Sequence, residues 1–238
     1  MNLENARVLI IGGTSGIGLG VAQAVAERGA VPIVASRRQS SVDRALAQLP
    51  DGARGGAIDL ADAAALARFA DTTGGIDHLV FTAGESLEMA KLADLTPEAI
   101  TGFFATRFIG ALSAVRHFAP RITHGGSITL TSGTAAHQPG FGVLPVSICG
   151  AMNAATTALA VELAPIRVNA VAPGVVRTPL WDAMGESERQ AMFDQAAQDL
   201  PLGRIGEVAD AARAYVYCME QDFGTGVVLT VDGGTLLV

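Results

Sequence analysis

The chain of 238 residues carries one lysine (Lys91), two tyrosines (Tyr215 and Tyr217), one tryptophan and two cysteines. Each scarcity excludes something. Cys149 and Cys218 are too few for a disulfide framework and suit a reducing cytoplasm. Charged residues are only 16% and the net charge is −7, so no basic stripe is present to hold nucleic acid. The Arg37-Arg38 pair is too short to anchor the chain on an acidic membrane. The histidines (His78, His117, His124, His137) are scattered and no Cys-x-x-Cys occurs, which leaves no metal-ligand cluster. Glu4 and Arg7 precede a short apolar run at 8–11, which is neither a signal peptide nor a membrane span. Longer apolar stretches are broken by Pro, Gly or Glu.

What is present is a regular alternation. Short β-like runs at 8–11, 31–35, 56–58, 79–82, 127–131, 167–171 and 227–231 read as strands, several of them continuous apolar runs as expected of strands buried on both faces. Ala-rich stretches at 17–28, 42–48, 61–71, 97–120, 148–163 and 207–220 read as helices between them. Strand–helix alternation without linker, repeat or low-complexity segment predicts one α/β domain over residues 1–238. The expected fold is a Rossmann-type, doubly wound parallel sheet of about seven strands. Thr96-Pro97 supplies an N-cap followed by proline; Asp62 and Ser41 are candidate caps, and Gly29 sits where a C-terminal glycine belongs.

Between the first strand and the first helix lies Gly12-Gly13-Thr14-Ser15-Gly16-Ile17-Gly18. Glycines there let the backbone turn sharply and approach a pyrophosphate, while the helix N-terminus presents free N–H groups to the anion. The spacing G-x-x-x-G-x-G resembles that of the short-chain dehydrogenase/reductase family, and the resemblance runs through nearly the whole chain. Asp59-Leu60 resembles the family's adenine-contacting acid. Thr82-Ala83-Gly84 resembles its Asn-Asn-Ala-Gly segment, with Phe81 and Thr82 in place of the two asparagines. Ser132 ends the fifth strand, where the family carries its catalytic serine. The stretch through Pro173-Gly174, Val176 and Thr178 resembles the one that lines the nicotinamide, and 225–234 resembles the C-terminal strand.

The second strand ends in Ser36-Arg37-Arg38, with no acid to bond a ribose 2′-hydroxyl. Ser36 can donate to a 2′-phosphate and Arg37 can pair with it, which favours NADP(H) over NAD(H). Arg38 reads equally well as a solvated basic turn.

The resemblance also implies a tyrosine acid, a lysine three residues beyond it and an asparagine in the preceding long helix. By family spacing these positions fall on Pro145, Cys149 and Arg107. With both tyrosines near the C-terminus and a single lysine at 91, no Tyr-x-x-x-Lys can be written anywhere. Ser132 remains to polarise a substrate oxygen, Arg107 can stabilise developing negative charge or bind an anion, and His137 or water can deliver a proton. Arg107 reads alternatively as a helix arginine paired to a structural acid, and His137 as a solvated loop residue. Cys149 reads as an inert thiol, and Ser147 as a helix cap.

Two functions stay open. One is an NADP(H)-dependent oxidoreductase with a degenerate site, moving hydride to or from a small carbonyl, imine or conjugated substrate. The other is a non-catalytic NADP(H)-binding sensor or regulatory protein. A binding module without cofactor is a third reading, against which the glycines at 12, 16 and 18 argue. The segment 175–202, with Trp181, Met184, Met192 and Phe193, is either a lid over a partly hydrophobic small-molecule substrate or helices packed on the sheet edge. The resemblance further implies a homodimer or homotetramer, and the apolar end Leu236-Leu237-Val238 agrees with it.

Overall fold

The computed structural model describes residues 2–84 and 90–238. Seven strands form one parallel sheet: β1 (Arg7–Ile11), β2 (Val31–Ser36), β3 (Arg54–Ala57), β4 (Ile76–Phe81), β5 (Ile122–Thr131), β6 (Arg167–Pro173) and β7 (Val228–Val231). Their order is β3-β2-β1-β4-β5-β6-β7. The sheet therefore reverses direction of winding between β1 and β4, and a crevice opens beyond the carboxyl ends of those two strands. This is the fold class expected from the alternation.

The period of two along each strand divides the core. Leu9 and Ile11 of β1, Leu79 and Phe81 of β4, and Ile128 and Leu130 of β5 pack on one face. Val8 and Ile10, Val34 of β2, Val80 and Val171 pack on the other. Continuous apolar runs are what a sheet covered on both sides requires. One face is covered by α3 (Ala63–Thr73), α5 (Gly110–Phe118) and α6 (Val143–Glu162), the other by α1 (Gly16–Ala26), α2 (Gln39–Leu46) and α8 (Val208–Glu220).

Local signals act largely as expected. Thr96 accepts from Ala99 N–H at 3.2 Å and opens α4 (Pro97–Phe104) with proline at its first position. Asp62 accepts from the N–H groups of Ala64 and Ala65, both at 2.9 Å. Several expectations are corrected. Ser41 lies buried inside α2, whose N-cap is Arg38. The stretch 97–120 is not one α-helix: a π turn, Ala105–Ile109, separates α4 from α5. Helix α6 opens at Val143 rather than 148, so Ser147 is an exposed helical residue and not a cap. Pro145 sits in the first turn, where its missing N–H leaves no hydrogen bond unmade. The 175–202 segment contains a further helix, α7 (Glu186–Asp199). Trp181, Phe193, Leu200 and Ile205 give it a small core of its own, and Trp181 Nε1 donates to Val176 O at 3.0 Å.

Candidate functional site

The glycine turn occupies the carboxyl end of β1, at the reversal of the sheet. Gly12 has φ +90°, and a Cβ there would lie 2.5 Å from Ala83 N beyond β4. A Cβ on Gly18 would collide with the Gly12 carbonyl oxygen and Thr82 Oγ1. The loop is thus pressed onto β4, and Thr82 N–H donates to Ile11 O at 2.8 Å to hold it there. Ser15 is the exposed N-cap of α1; its hydroxyl makes no capping bond, so the helix presents its first N–H groups toward the crevice. Thr14, Gly16 and Ile17 complete the turn, half-buried.

Other expected residues line up along the same edge. Ser36 ends β2; Arg37 and Arg38 follow it, exposed. Asp59 lies exposed beyond β3 and accepts from Ala61 N–H at 2.9 Å, while Leu60 beside it approaches Gly110 of α5. Ala83 and Gly84 follow β4. Pro173 ends β6, and Gly174 N–H donates to Val231 O at 3.0 Å. Val176 is buried, and Thr178 stands opposite Gly16, where a Cβ on that glycine would lie 3.5 Å from Thr178 Cβ. The structure therefore brings the expected cofactor residues to one rim, at the carboxyl ends of β1 to β6. A glycine cradle that tolerates no Cβ, an open helix N-terminus and a Ser-Arg-Arg run without an acid fit a phosphorylated dinucleotide.

Below this rim a cavity is lined by Phe81, Thr82, Ala83, Arg107, Thr131, Ser132, Ile148, Cys149 and Met152. Arg107 is the one charged lining residue among those described. The π turn carries it; such turns add a residue to the helix and often mark functional sites. Its guanidinium stands 5.5 Å from the centre of the Phe103 ring. Ser132 N–H donates to Val171 O at 2.8 Å, fixing the serine at the end of β5. Its Oγ donates to Asn153 Oδ1 at 2.5 Å and lies 3.2 Å from Cys149 O. Asn153, one turn beyond Cys149 on α6, was not signalled by the sequence: an asparagine inside an apolar helix has no motif around it.

Cys149 is held as a neutral thiol. Burial pushes its pKa up, while the charge of Arg107 and the backbone N–H of Ala136 oppose that rise. Pro145 is buried and offers no proton. His137 is exposed on the turn Thr134–His137 and does not line the cavity, so its placement gives no support to a role as the acid. Tyr215 is fully buried; its hydroxyl meets Thr131 Oγ1 at 2.6 Å, which donates in turn to Phe81 O at 2.6 Å. Burial raises the pKa of that phenol, so it is no substitute acid. The 175–202 segment contributes no lining residue. Among the described residues no group of three His, Cys, Asp or Glu side chains converges to hold a metal.

Known proteins resemble this chain over nearly its whole length. A family profile described as enoyl-(acyl carrier protein) reductase matches residues 12–235. The short-chain dehydrogenase/reductase ucsE of Acremonium sp is 36% identical over 255 residues, covering 99% of this chain and 97% of that protein. The solved structure of the MalC reductase/Diels-Alderase from Malbranchea aurantiaca superposes with a TM-score of 0.90 at 36% identity, covering 99% of this chain and 98% of that one. A small-chain dehydrogenase solved in complex with NADPH superposes with a TM-score of 0.87 at 34% identity, covering 99% and 100%. With a parallel sheet wound in this order, a glycine turn at its reversal and kinship over almost every residue, the chain belongs to the short-chain dehydrogenase/reductase family.

Proposed function

We propose that the protein is an NADPH-dependent reductase of carbonyl or conjugated carbonyl compounds, in which Arg107 is the partner of the oxygen that gains negative charge. The observation that carries this reading is the cavity lining: among the described residues it holds the Arg107 guanidinium and, in the lysine position, a neutral thiol, while the acid position is the buried Pro145 of the same helix. Ser36, Arg37 and the glycine turn support NADPH as the cofactor, as does the NADPH complex of a relative. Bound NADPH supplies the hydride equivalent of the reduction.

The residues of this chain then divide the remaining work. Arg107 offers N–H donors and a fixed positive charge to a developing oxyanion, an effect worth about 10²–10³ in rate where such donors have been removed elsewhere. Its charge repels an iminium, so of the three substrate classes considered it selects against the imine in its cationic form. Ile148, Met152, Phe81 and Ala83 exclude water from the apolar body of the ligand. Among the described lining residues there is no side-chain acid, and in this reading the proton comes from water. A conjugated carbonyl suits this best, because the enolate it forms is less basic than a simple alkoxide and needs less acid assistance.

Two further expectations join this proposal. The stretches Pro97–Arg121 and Val143–Glu162 are apolar enough to cross a membrane by length and composition, yet in their most apolar 18-residue windows only 28% and 33% is buried within one chain. Ile109, Val143 and Val161 are exposed on them, and Leu237 and Val238 at the C-terminus. A second copy of the chain covering these faces accounts for the composition of a homodimer or homotetramer. The free thiols Cys149 and Cys218 suit a cytoplasmic setting.

The test is calorimetric titration of cofactor-free protein with NADPH and NADH, followed by a substrate panel of a cyclic enone, a ketone and an imine. Tighter binding of NADPH, with NADPH oxidation fastest on the enone and lost in Arg107→Ala, is the expected result. Binding of neither nucleotide overturns the reading, and NADPH binding without turnover leaves a sensor.

A further inference from the structure

We propose that Asn153 is a positioning residue for Ser132, holding the serine proton so that Ser132 meets the ligand as a hydrogen-bond acceptor rather than as a donor. The inference rests on the reading of the cavity as the reductase site.

Residues 145, 149 and 153 recur every four positions on α6 and so follow one another along one face. The first two carry Pro145 and Cys149, which lack the proton and the permanent charge that the family places there. Asn153 is the next residue on that face, and its Oδ1 lies 2.5 Å from Ser132 Oγ. A serine hydroxyl has a single proton. While that proton points to Asn153, only lone pairs remain for anything in the cavity.

The consequence is a division of polarity. Arg107 supplies donors and Ser132 supplies an acceptor, both within the lining of one cavity. A carbonyl compound that also bears an N–H or O–H group matches this pair, its oxygen on the arginine and its donor on the serine. The competing acceptors for the serine proton are Cys149 O, at 3.2 Å, and the Cys149 sulfur, whose thiolate a bond from Ser132 stabilises. Without Asn153 the proton turns to these groups, and Ser132 loses both its fixed orientation and its acceptor role.

Cys149 therefore reports on the Ser132 proton without any need for turnover. The experiment measures the pH profile of Cys149 alkylation by iodoacetamide, read by mass spectrometry, and steady-state kinetics on enones with and without a neighbouring N–H. It uses the wild type, Asn153→Ala, Ser132→Ala and the double variant, with NADPH affinity as the control for folding. In Asn153→Ala the alkylation profile is expected to move to lower pH by about half a unit or more as the freed proton stabilises the thiolate. The kcat on the N–H-bearing enone is expected to fall about tenfold to a hundredfold, with KM within about twofold. In the Ser132→Ala background the Asn153 substitution is expected to add nothing, because its effect passes through the serine. Asn153→Ser, too short to reach Ser132, gives the same reading if the alanine variant does not fold. An unmoved alkylation profile overturns the proposal, and so does an Asn153 effect that adds fully to that of Ser132→Ala. If no variant turns over any substrate but the alkylation profile still shifts as described, the reductase reading fails and the Asn153–Ser132 clamp stands.

Discussion

A Cβ placed on Gly84 would lie 2.6 Å from Arg107 Nη1 and 2.8 Å from its Cζ, so the guanidinium rests against the bare backbone beyond β4. The contact is with the far end of a flexible side chain. Gly84→Ala is therefore expected to move Arg107 without unfolding the protein. If Arg107 stabilises the oxyanion, the displaced guanidinium loses much of an effect of about 10²–10³ in rate. Kinetics of Gly84→Ala should show kcat lowered about tenfold or more, with an unchanged melting temperature. Normal turnover in that variant would remove Arg107 from the chemistry.

The end of β2 gives a second prediction. Ser36, Arg37 and Arg38 stand where an NAD-binding chain places an acid. Charge-assisted bonds to a phosphate are worth about 1.5–3 kcal/mol each. Arg37→Ala should weaken NADPH binding by roughly tenfold to a hundredfold by calorimetry and leave NADH affinity unchanged. Ser36→Asp should reverse the preference, since a carboxylate repels the 2′-phosphate and accepts from a free 2′-hydroxyl. Equal losses for both nucleotides in Arg37→Ala would mean that the arginine supports the loop rather than reads the phosphate.

A third prediction concerns the glycine turn. At Gly18 the collision would be with the Gly12 backbone oxygen and Thr82, neither of which can move aside without disturbing β1 or β4. Gly18→Ala should thus abolish measurable binding of both nucleotides and lower the melting temperature. Gly140, whose Cβ would meet nothing within 4 Å, is the matched control. Retained NADPH affinity in Gly18→Ala would show that the turn can open without cost.

Features fixed by local chemistry are legible in the sequence, and those decided by packing are not. The central strands announce themselves because a sheet buried on both faces needs unbroken apolar runs, as in Val8, Leu9, Ile10 and Ile11; the edge strand β3, Arg-Gly-Gly-Ala and mostly exposed, carries no such run and lies at 54–57 rather than 56–58. Thr96 and Asp62 announce helix starts because capping is a local bond with local chemistry. Pro145 misleads, since proline is tolerated in the first turn as readily as before it, and α6 begins at Val143. The π turn around Arg107 is invisible, because its residues suit an α-helix equally well and only packing decides the extra residue. The glycine turn and the Ser36-Arg37-Arg38 run, which the structure gathers along one rim, could be read from the sequence because their chemistry is local. The Ser132–Asn153 bond could not, because it joins residues 21 apart on different elements.

The last prediction concerns stability rather than catalysis. His78, in the middle of the sheet on β4, is fully buried; its Nδ1 meets Ser127 Oγ at 2.8 Å, and its Nε2 has no hydrogen-bond partner among the described residues. Burial pushes its pKa from 6.5 down to about 4; the charge of Arg167 adds to the fall and Asp77 opposes it. The folded-state pKa is thus depressed below the unfolded value, and the folded protein keeps the ring neutral. Above pH 6.5 neither state binds the proton and the contribution to stability is complete. As pH falls from 6.5 toward 4 the unfolded chain takes up the proton first, and stability declines across that window. At pH 5 the loss amounts to about 2 kcal/mol. His78→Gln keeps a polar group for Ser127 but has no proton to gain. Urea unfolding at pH 7.5 and pH 5 should therefore show the wild type losing on the order of 2 kcal/mol more than His78→Gln between the two conditions. Carboxylates titrate in both proteins and cancel in that difference. Parallel losses would place the acid sensitivity elsewhere and show that water reaches the ring to charge it in the folded state.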